Sequence, residues 1–277
     1  MNPIIDLLHQ RSSCRSYDSK PIPDDVMTSL LEATCSSPSG GGFQNLSIIK
    51  VTDKEKLVAL QKICRNQPFI SKAPVSMVFC IDFRRYMKVK EIEPFPFKEH
   101  QNFMNFWMAI IDTAIMAHTF CIAAESHDLK TVYIGNIIHE FEQAAKLLGL
   151  PKFVLPSIMV VAGYPKSPIT PKKKYPIDLL VHENTYQDPS PDTVYSAYQA
   201  HNDSWKMSAK DTFVNKIYET AKSYHGEAYA EKCKTYIEEK GVISPYQYWF
   251  GCYYLDAGFM QLDDYIRFMR SQGFDWV

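Results

Sequence analysis

The sequence predicts an α+β protein. Three observations carry that expectation. Short apolar runs of strand length, 46–51, 75–81 and 158–162, are separated by stretches with helical periodicity. After His182 the chain turns polar and tyrosine-rich, with helical patterning and no further strand signal. Hydrophobic residues make up 46% of 277, enough to bury a core and to argue against disorder. Strands mixed with helices, followed by a helical tail, are the element order of the α+β class.

Each element follows from local chemistry. Asn2-Pro3 opens a helix, a capping residue followed by proline in the first turn, with Ile4, Ile5, Leu7 and Leu8 on one face. The phrase Arg11-Ser12-Ser13-Cys14-Arg15-Ser16-Tyr17 follows as a loop or short strand. Pro23-Asp24-Asp25 starts a second helix running to about Cys35, with Val26, Leu30 and Leu31 turned inward. Ser36 to Gly42 holds a proline and three glycines, which stop regular structure. Between strands at 46–51 and 75–81 lies an amphipathic helix over 54–64. Residues 84–100 read as a charged excursion near the surface. Phe103 to Glu125 reads as a long apolar helix, 131–137 as a strand, 140–148 as a helix and 158–162 as a strand. A proline-lysine loop covers 163–176, and 206–226 reads as a mobile arm. The expected organisation is a core over 1–187 and a helical extension over 188–277, both in one domain.

Bulk properties exclude several classes. A formal charge of −1 gives no general affinity for nucleic acid or a membrane surface, so any cationic site is local. The seven cysteines, Cys14, Cys35, Cys64, Cys80, Cys121, Cys233 and Cys252, form no CxxC pair and are odd in number. That pattern fits neither a disulfide framework nor a zinc cage, and it suits a reducing cytoplasm. Asp6 interrupts what would be the apolar part of a secretory leader. Asn105, Asp112 and His118 interrupt the run Phe103 to Ala124, which therefore reads as a core helix with protein around it rather than a membrane span. There is no phosphate loop of the GxxxxGK[ST] type, no GxGxxG after a strand, no HExxH and no GxSxG. The eight histidines do not cluster, and no metal site is expected.

A bound phosphate must then be held by side chains, and arginine suits that task because its fork is bidentate and permanently charged. Four islands supply the means: 11–17, Ser37-Pro38-Ser39-Gly40-Gly41-Gly42-Phe43-Gln44, Tyr133-Ile134-Gly135-Asn136 and Lys172-Lys173-Lys174. Taken singly each is an ordinary loop or strand end. Together they read as one pocket for an anion and a flat ring, the requirements of FMN. Arg11 would serve the phosphate. Arg15 would serve the polar ring edge, where a cation favours the charge gained on reduction. Lys172 and Lys174, alternating in an extended loop, would add charge from one side.

These residues resemble the nitroreductase family of FMN oxidoreductases, nearest its branch of NADPH nitroreductases and NADPH-flavin oxidoreductases. The likeness runs through 11–17, Ser37 to Gln44, Asn66-Gln67-Pro68-Phe69-Ile70, Tyr133 to Ile137, Pro171 to Pro176 and Val181-His182-Glu183-Asn184-Thr185-Tyr186. It covers 1 to about 187 and returns at Phe268 to Phe274. Ser12, Gly42 and Lys174 depart from the branch's pattern, which has arginine, asparagine and arginine there.

The resemblance implies a nitroreductase-like fold: a mixed, mostly antiparallel central sheet flanked by helices, with a helical C-terminal extension, in an intertwined homodimer. It implies that Arg11, Ser12, Ser13, Arg15, Ser39, Gln44, Gln67, Tyr133, Ile134, Gly135, Asn136, Lys172 and Lys174 bind FMN. NADPH or NADH would be the reductant, with Lys206 and Lys210 the local candidates for its phosphate. It implies ping-pong hydride transfer to small electron-poor molecules such as nitroaromatics, quinones or flavins, with no side chain nominated as an acid or base. Each FMN site would be built from both chains, and helix 103–124 would supply buried interface. Two other readings are a flavin-fragmenting or dehalogenating relative and a flavin-binding protein without turnover.

Overall fold

The computed structural model describes residues 2–96, 102–254 and 262–276. The chain divides into two compact units, one of residues 1–171 with 260–277 and one of residues 172–259. The composition change near His182 falls inside the second unit.

The first unit is built on a four-stranded antiparallel sheet, β1 (Leu46–Val51), β2 (Val75–Asp82), β3 (Lys130–Ile134) and β4 (Val154–Gly163), in the order β1-β2-β4-β3. The α+β expectation holds. The only parallel pairing among the described residues is an isolated bridge, Ser13 to Thr131, beside the edge strand β3. Every residue of β2 is buried, because helices cover both faces and each side chain meets core whichever way it points. Val75, Met77 and Phe79 face a layer made by α2 (Asp24–Cys35) and α6 (Phe103–Glu125) through Met27, Leu30, Met116, Ala117, Phe120 and Cys121. Val78 and Cys80 face the other layer, α3 (Lys54–Ile63), α4 (Phe69–Lys72) and α7 (Phe141–Leu148), through Leu57, Leu60, Ile70 and Ala144.

The helices start where the caps predict. Asn2 accepts from the Ile4 N–H at 2.9 Å ahead of α1 (Pro3–Gln10), and Asp53 accepts from the Lys56 N–H at 2.8 Å ahead of α3. A third cluster closes one end of the sheet. There the C-terminal helix α13 (Leu262–Ser271) and the residues after it bring Phe268, Met269 and Phe274 against Ile81, Phe83, Ala109 and Leu155.

The stretch expected as a surface excursion, 84–100, carries a short helix over Arg84–Lys90, here α5, with its described residues exposed or half-buried; 97–100 lie outside the described residues. Two sequence expectations need correction. Strand β3 stops at Ile134, and Gly135–Ile138 forms a 3₁₀ turn, because the glycine starts a new direction. Strand β4 begins at Val154, earlier than expected, because Pro156 sits at a bulge where the register with β2 shifts between Phe79 and Cys80. At its far end Gly163 leaves no room for a side chain: a Cβ would lie 2.7 Å from Pro74 Cδ and 3.0 Å from Tyr17 Cδ1.

The second unit is helical: α8 (Ile177–Leu180), α9 (Pro191–His201), α10 (Asp211–His225), α11 (Glu227–Lys240) and α12 (Pro245–Tyr248), then a π-helical turn over Trp249–Tyr253. The expected arm over 206–226 is mostly helix α10. Its Val214, Ile217 and Ala221 are buried, the first two in a core with Ile237, Ile243 and Cys252. The Trp205 indole donates to the Ile243 carbonyl at 2.9 Å and ties the entry of α10 to the end of α11.

Candidate functional site

Strand β3 organises one group of the expected site residues. Arg11 caps the end of α1, its N–H on the Leu7 carbonyl at 2.9 Å. The chain then runs beside β3, where the Cys14 N–H donates to Thr131 O at 3.0 Å. The Tyr17 hydroxyl fixes the far end of the phrase by donating to Cys14 O at 2.8 Å and reaching Val161 O at 3.2 Å. This lays Ser13 against the strand and sets Arg11 over the ring of Tyr133, 5.4 Å from its centroid. The Tyr133 hydroxyl lies 3.3 Å from His118 Nδ1, and burial pushes its pKa well above the usual phenol value.

Arg11 is the informative side chain. Its Nε and Nη2 are buried and have no hydrogen-bond partner. A guanidinium with sequestered, unpaired N–H groups is a costly arrangement unless an anion completes it. Glu125, buried and ion-paired with Lys130, lies close enough to act on Arg11 electrostatically, but its pair is with the lysine. Burial raises the Glu125 pKa, which the Lys130 and Arg11 charges oppose.

Gln67 joins the same group. Its Nε2 donates to Cys64 O at 2.9 Å and lies 3.3 Å from Asn136 Oδ1, so the Gln67 and Tyr133–Asn136 segments meet. The turn that delivers Gln67 is left-handed at Arg65 (φ 63°) and Asn66 (φ 51°), a conformation that favours asparagine among non-glycine residues. Above Gly135 there is open space: a Cβ would meet nothing within 4 Å. Its backbone is thus accessible to a ligand.

Ser39 and Gln44 form a second group, held by other elements. The Gly40 N–H donates to Asp112 Oδ1 of α6 at 3.0 Å, and Ser39 Oγ accepts from the Gln44 N–H at 3.2 Å. Gln44 is itself left-handed (φ 52°), and Arg85 of α5 donates to both the Gln44 and Leu46 carbonyls. No hydrogen bond or ring contact among the described residues links Ser39 or Gln44 to the Arg11 group.

Lys172, Lys174, Lys206 and Lys210 belong to the second unit, and all four are exposed. Lys173 pairs with Asp203, which holds that carboxyl below its ordinary value. Its two neighbours are left out of that ion pair. Lys210 sits at the start of α10. No cluster of metal-ligating side chains occurs among the described residues.

Sequence reasoning missed the supports. Asp112 carried a signal, a carboxylate inside an apolar helix. Arg85, Glu125 and Lys130 carried none, since charged residues near element ends are ordinary.

Fold and side chains together define an α+β sheet protein with a buried, unpartnered arginine set against the edge strand β3. A family model described as "Nitroreductase family" matches residues 8–164, more than half of the chain. The chain belongs to the nitroreductase family. It is 34% identical over 187 residues to an oxygen-insensitive NADPH nitroreductase of Salmonella typhimurium, covering 68% of this chain and 76% of that protein. It is 28% identical over 248 residues to an FMN reductase [NAD(P)H] of Bacillus subtilis, covering 87% and 98%. Among solved structures it resembles the NADPH:FMN oxidoreductase of Vibrio harveyi complexed with NAD+, with TM-score 0.68, 26% identity and coverage of 93% and 98%.

Proposed function

We propose that this chain is an FMN-dependent NAD(P)H oxidoreductase that reduces flat, electron-poor small molecules: nitroaromatics, quinones or flavins. The observation that carries the reading is Arg11, whose buried and unpartnered guanidinium sits on the Tyr133 ring within the family-matching segment. The residues fit the cofactor: Arg11 takes the phosphate, and Ser12 and Ser13 add hydroxyl donors beside it. Arg15 holds a permanent cation at the polar ring edge. Gln67, Tyr133, Ile134, Gly135 and Asn136 line the ring, and Ser39 and Gln44 cover it. Lys172 and Lys174 contribute further charge. FMN, when bound, supplies a two-electron carrier that accepts and returns hydride. The side chains bind and orient; donor and acceptor use one surface in turn, so no acid or base is required of the protein. Lys206 and Lys210 are the proposed contacts for the phosphate of NADPH.

The working enzyme is a soluble cytoplasmic homodimer in this proposal. Helix α6 is long and apolar enough to cross a membrane, with hydropathy 1.6, yet 39% of its apolar stretch is buried within the protein. Its other side exposes Phe103, Trp107, Ile110, Ile111 and Ile115, and α1 exposes Ile4, Ile5 and Leu8. Contiguous apolar surface of this kind is what a partner chain covers. That no hydrogen bond or ring contact among the described residues joins the Ser39–Gln44 group to the Arg11 group supports sites completed by both chains.

The test is the absorption spectrum of the freshly purified protein, followed by anaerobic mixing with NADH and with NADPH. A yellow protein whose visible band bleaches within a turnover time is the expected result. A yellow protein that neither nucleotide bleaches is a flavin binder without turnover, and a colourless one that ignores added FMN rejects the reading.

A further inference from the structure

A cavity of about 250 Å³ in the first unit is lined by Arg15, Ser16, Tyr17, Pro68, Phe69, Lys72 and Lys166. We propose that Lys72 and Lys166, beside Arg15, form an anion subsite for the phosphomonoester group of a phosphorylated substrate. The inference rests on the proposed oxidoreductase function for the identity of that substrate, and on geometry alone for the site.

The geometry is built rather than incidental. The Lys166 N–H donates to Ser16 O at 3.1 Å, and Tyr17 bridges Pro165, so the end of β4 is pinned beside Arg15. Lys72 ends the short helix α4, whose Ile70 is fully buried, and Pro68 and Phe69 of the same segment wall the cavity. All three cations are exposed, no carboxylate lines the cavity, and none of the three has an ion-pair partner among the described residues. The two lysines, left open on one concavity beside the Arg15 guanidinium, focus positive potential there and match the charge of a phosphate dianion. The Ser16 hydroxyl is a further donor on the wall.

Two substrates of the proposed reaction carry that group: free FMN as acceptor, which riboflavin matches without the phosphate, and NADPH as donor, which NADH matches without it. The experiment uses FMN-loaded protein and the double variant Lys72→Ala/Lys166→Ala, leaving Arg15 in place. The expected result is a rise of about tenfold or more in KM for one phosphorylated substrate, from loss of charge-assisted hydrogen bonds. Its dephospho counterpart and kcat stay unchanged. The pair that splits, FMN against riboflavin or NADPH against NADH, identifies the source, and a split of the second pair reassigns the nucleotide phosphate from Lys206 and Lys210 to this cavity. Inorganic phosphate should inhibit the wild type competitively, less so at high salt, and should inhibit the variant more weakly. The Lys72→Arg/Lys166→Arg variant should recover the discrimination, which a merely structural loss would not.

Equal shifts within both pairs, or no shift in either, overturn the proposal. So does a wild type indifferent to phosphate. If the protein binds no flavin, the functional reading fails separately. Calorimetric titration of inorganic phosphate into wild type and double variant then decides the subsite by itself: weaker binding by the variant supports it, and equal or absent binding rejects it.

Discussion

Arg11 is held in a state that suits its ligand better than its own fold. Its two sequestered nitrogens lack acceptors, and the nearby Glu125 carboxylate pairs with Lys130 through Oε2, leaving Oε1 buried without a partner. Leaving buried donors unpaired costs on the order of 1–3 kcal/mol. Arg11→Met should therefore leave the apoprotein as stable as wild type or more stable by thermal denaturation, while FMN affinity falls about tenfold or more. A variant that loses stability and keeps its flavin would contradict this account. Arg11 and Arg15 were legible as chemistry because two permanent cations stand four positions apart in a loop. Gln67 entered only through family likeness, since nothing in a lone glutamine announces a ring. The Arg85 clamp on the Gln44 carbonyl could not be read at all, because a side chain serving a distant backbone atom leaves no periodic trace.

At the scale of elements, most helices and strands were legible from periodicity and caps, and the discrepancies share a cause. Strand β4 crosses Pro156 at a bulge, so a residue that cannot donate to the ladder is accommodated by the shifted register. Helix α6 has two roles, and Asp112 belongs to the second: it leaves the apolar pattern to hold the Gly40 N–H. Asp112→Ala should cost about 1–3 kcal/mol in denaturant unfolding through the unpaired amide. It should also weaken FMN retention, because the Ser39–Gln44 loop loses its anchor. An unaltered flavin affinity would show that the loop keeps its form without the carboxylate.

For the whole molecule, the apolar side of α6 is the feature a single chain leaves unexplained. The sequence showed that this helix needs protein around it but not which protein, since composition does not distinguish a core from a partner. Ile111→Lys places a charge in the middle of that exposed face. It should shift gel filtration from two-chain to one-chain mass and release flavin, whereas a variant that stays dimeric and yellow would place the contact elsewhere. The seam at Gly163 has another consequence. Any heavier residue there must displace Pro74 or Tyr17, whereas Lys166, three positions on, is exposed at the lining of a hollow. Drift is thus barred at the joint and free at the rim, so descendants of this chain can exchange one substrate's charge for another's without renegotiating how the backbone closes.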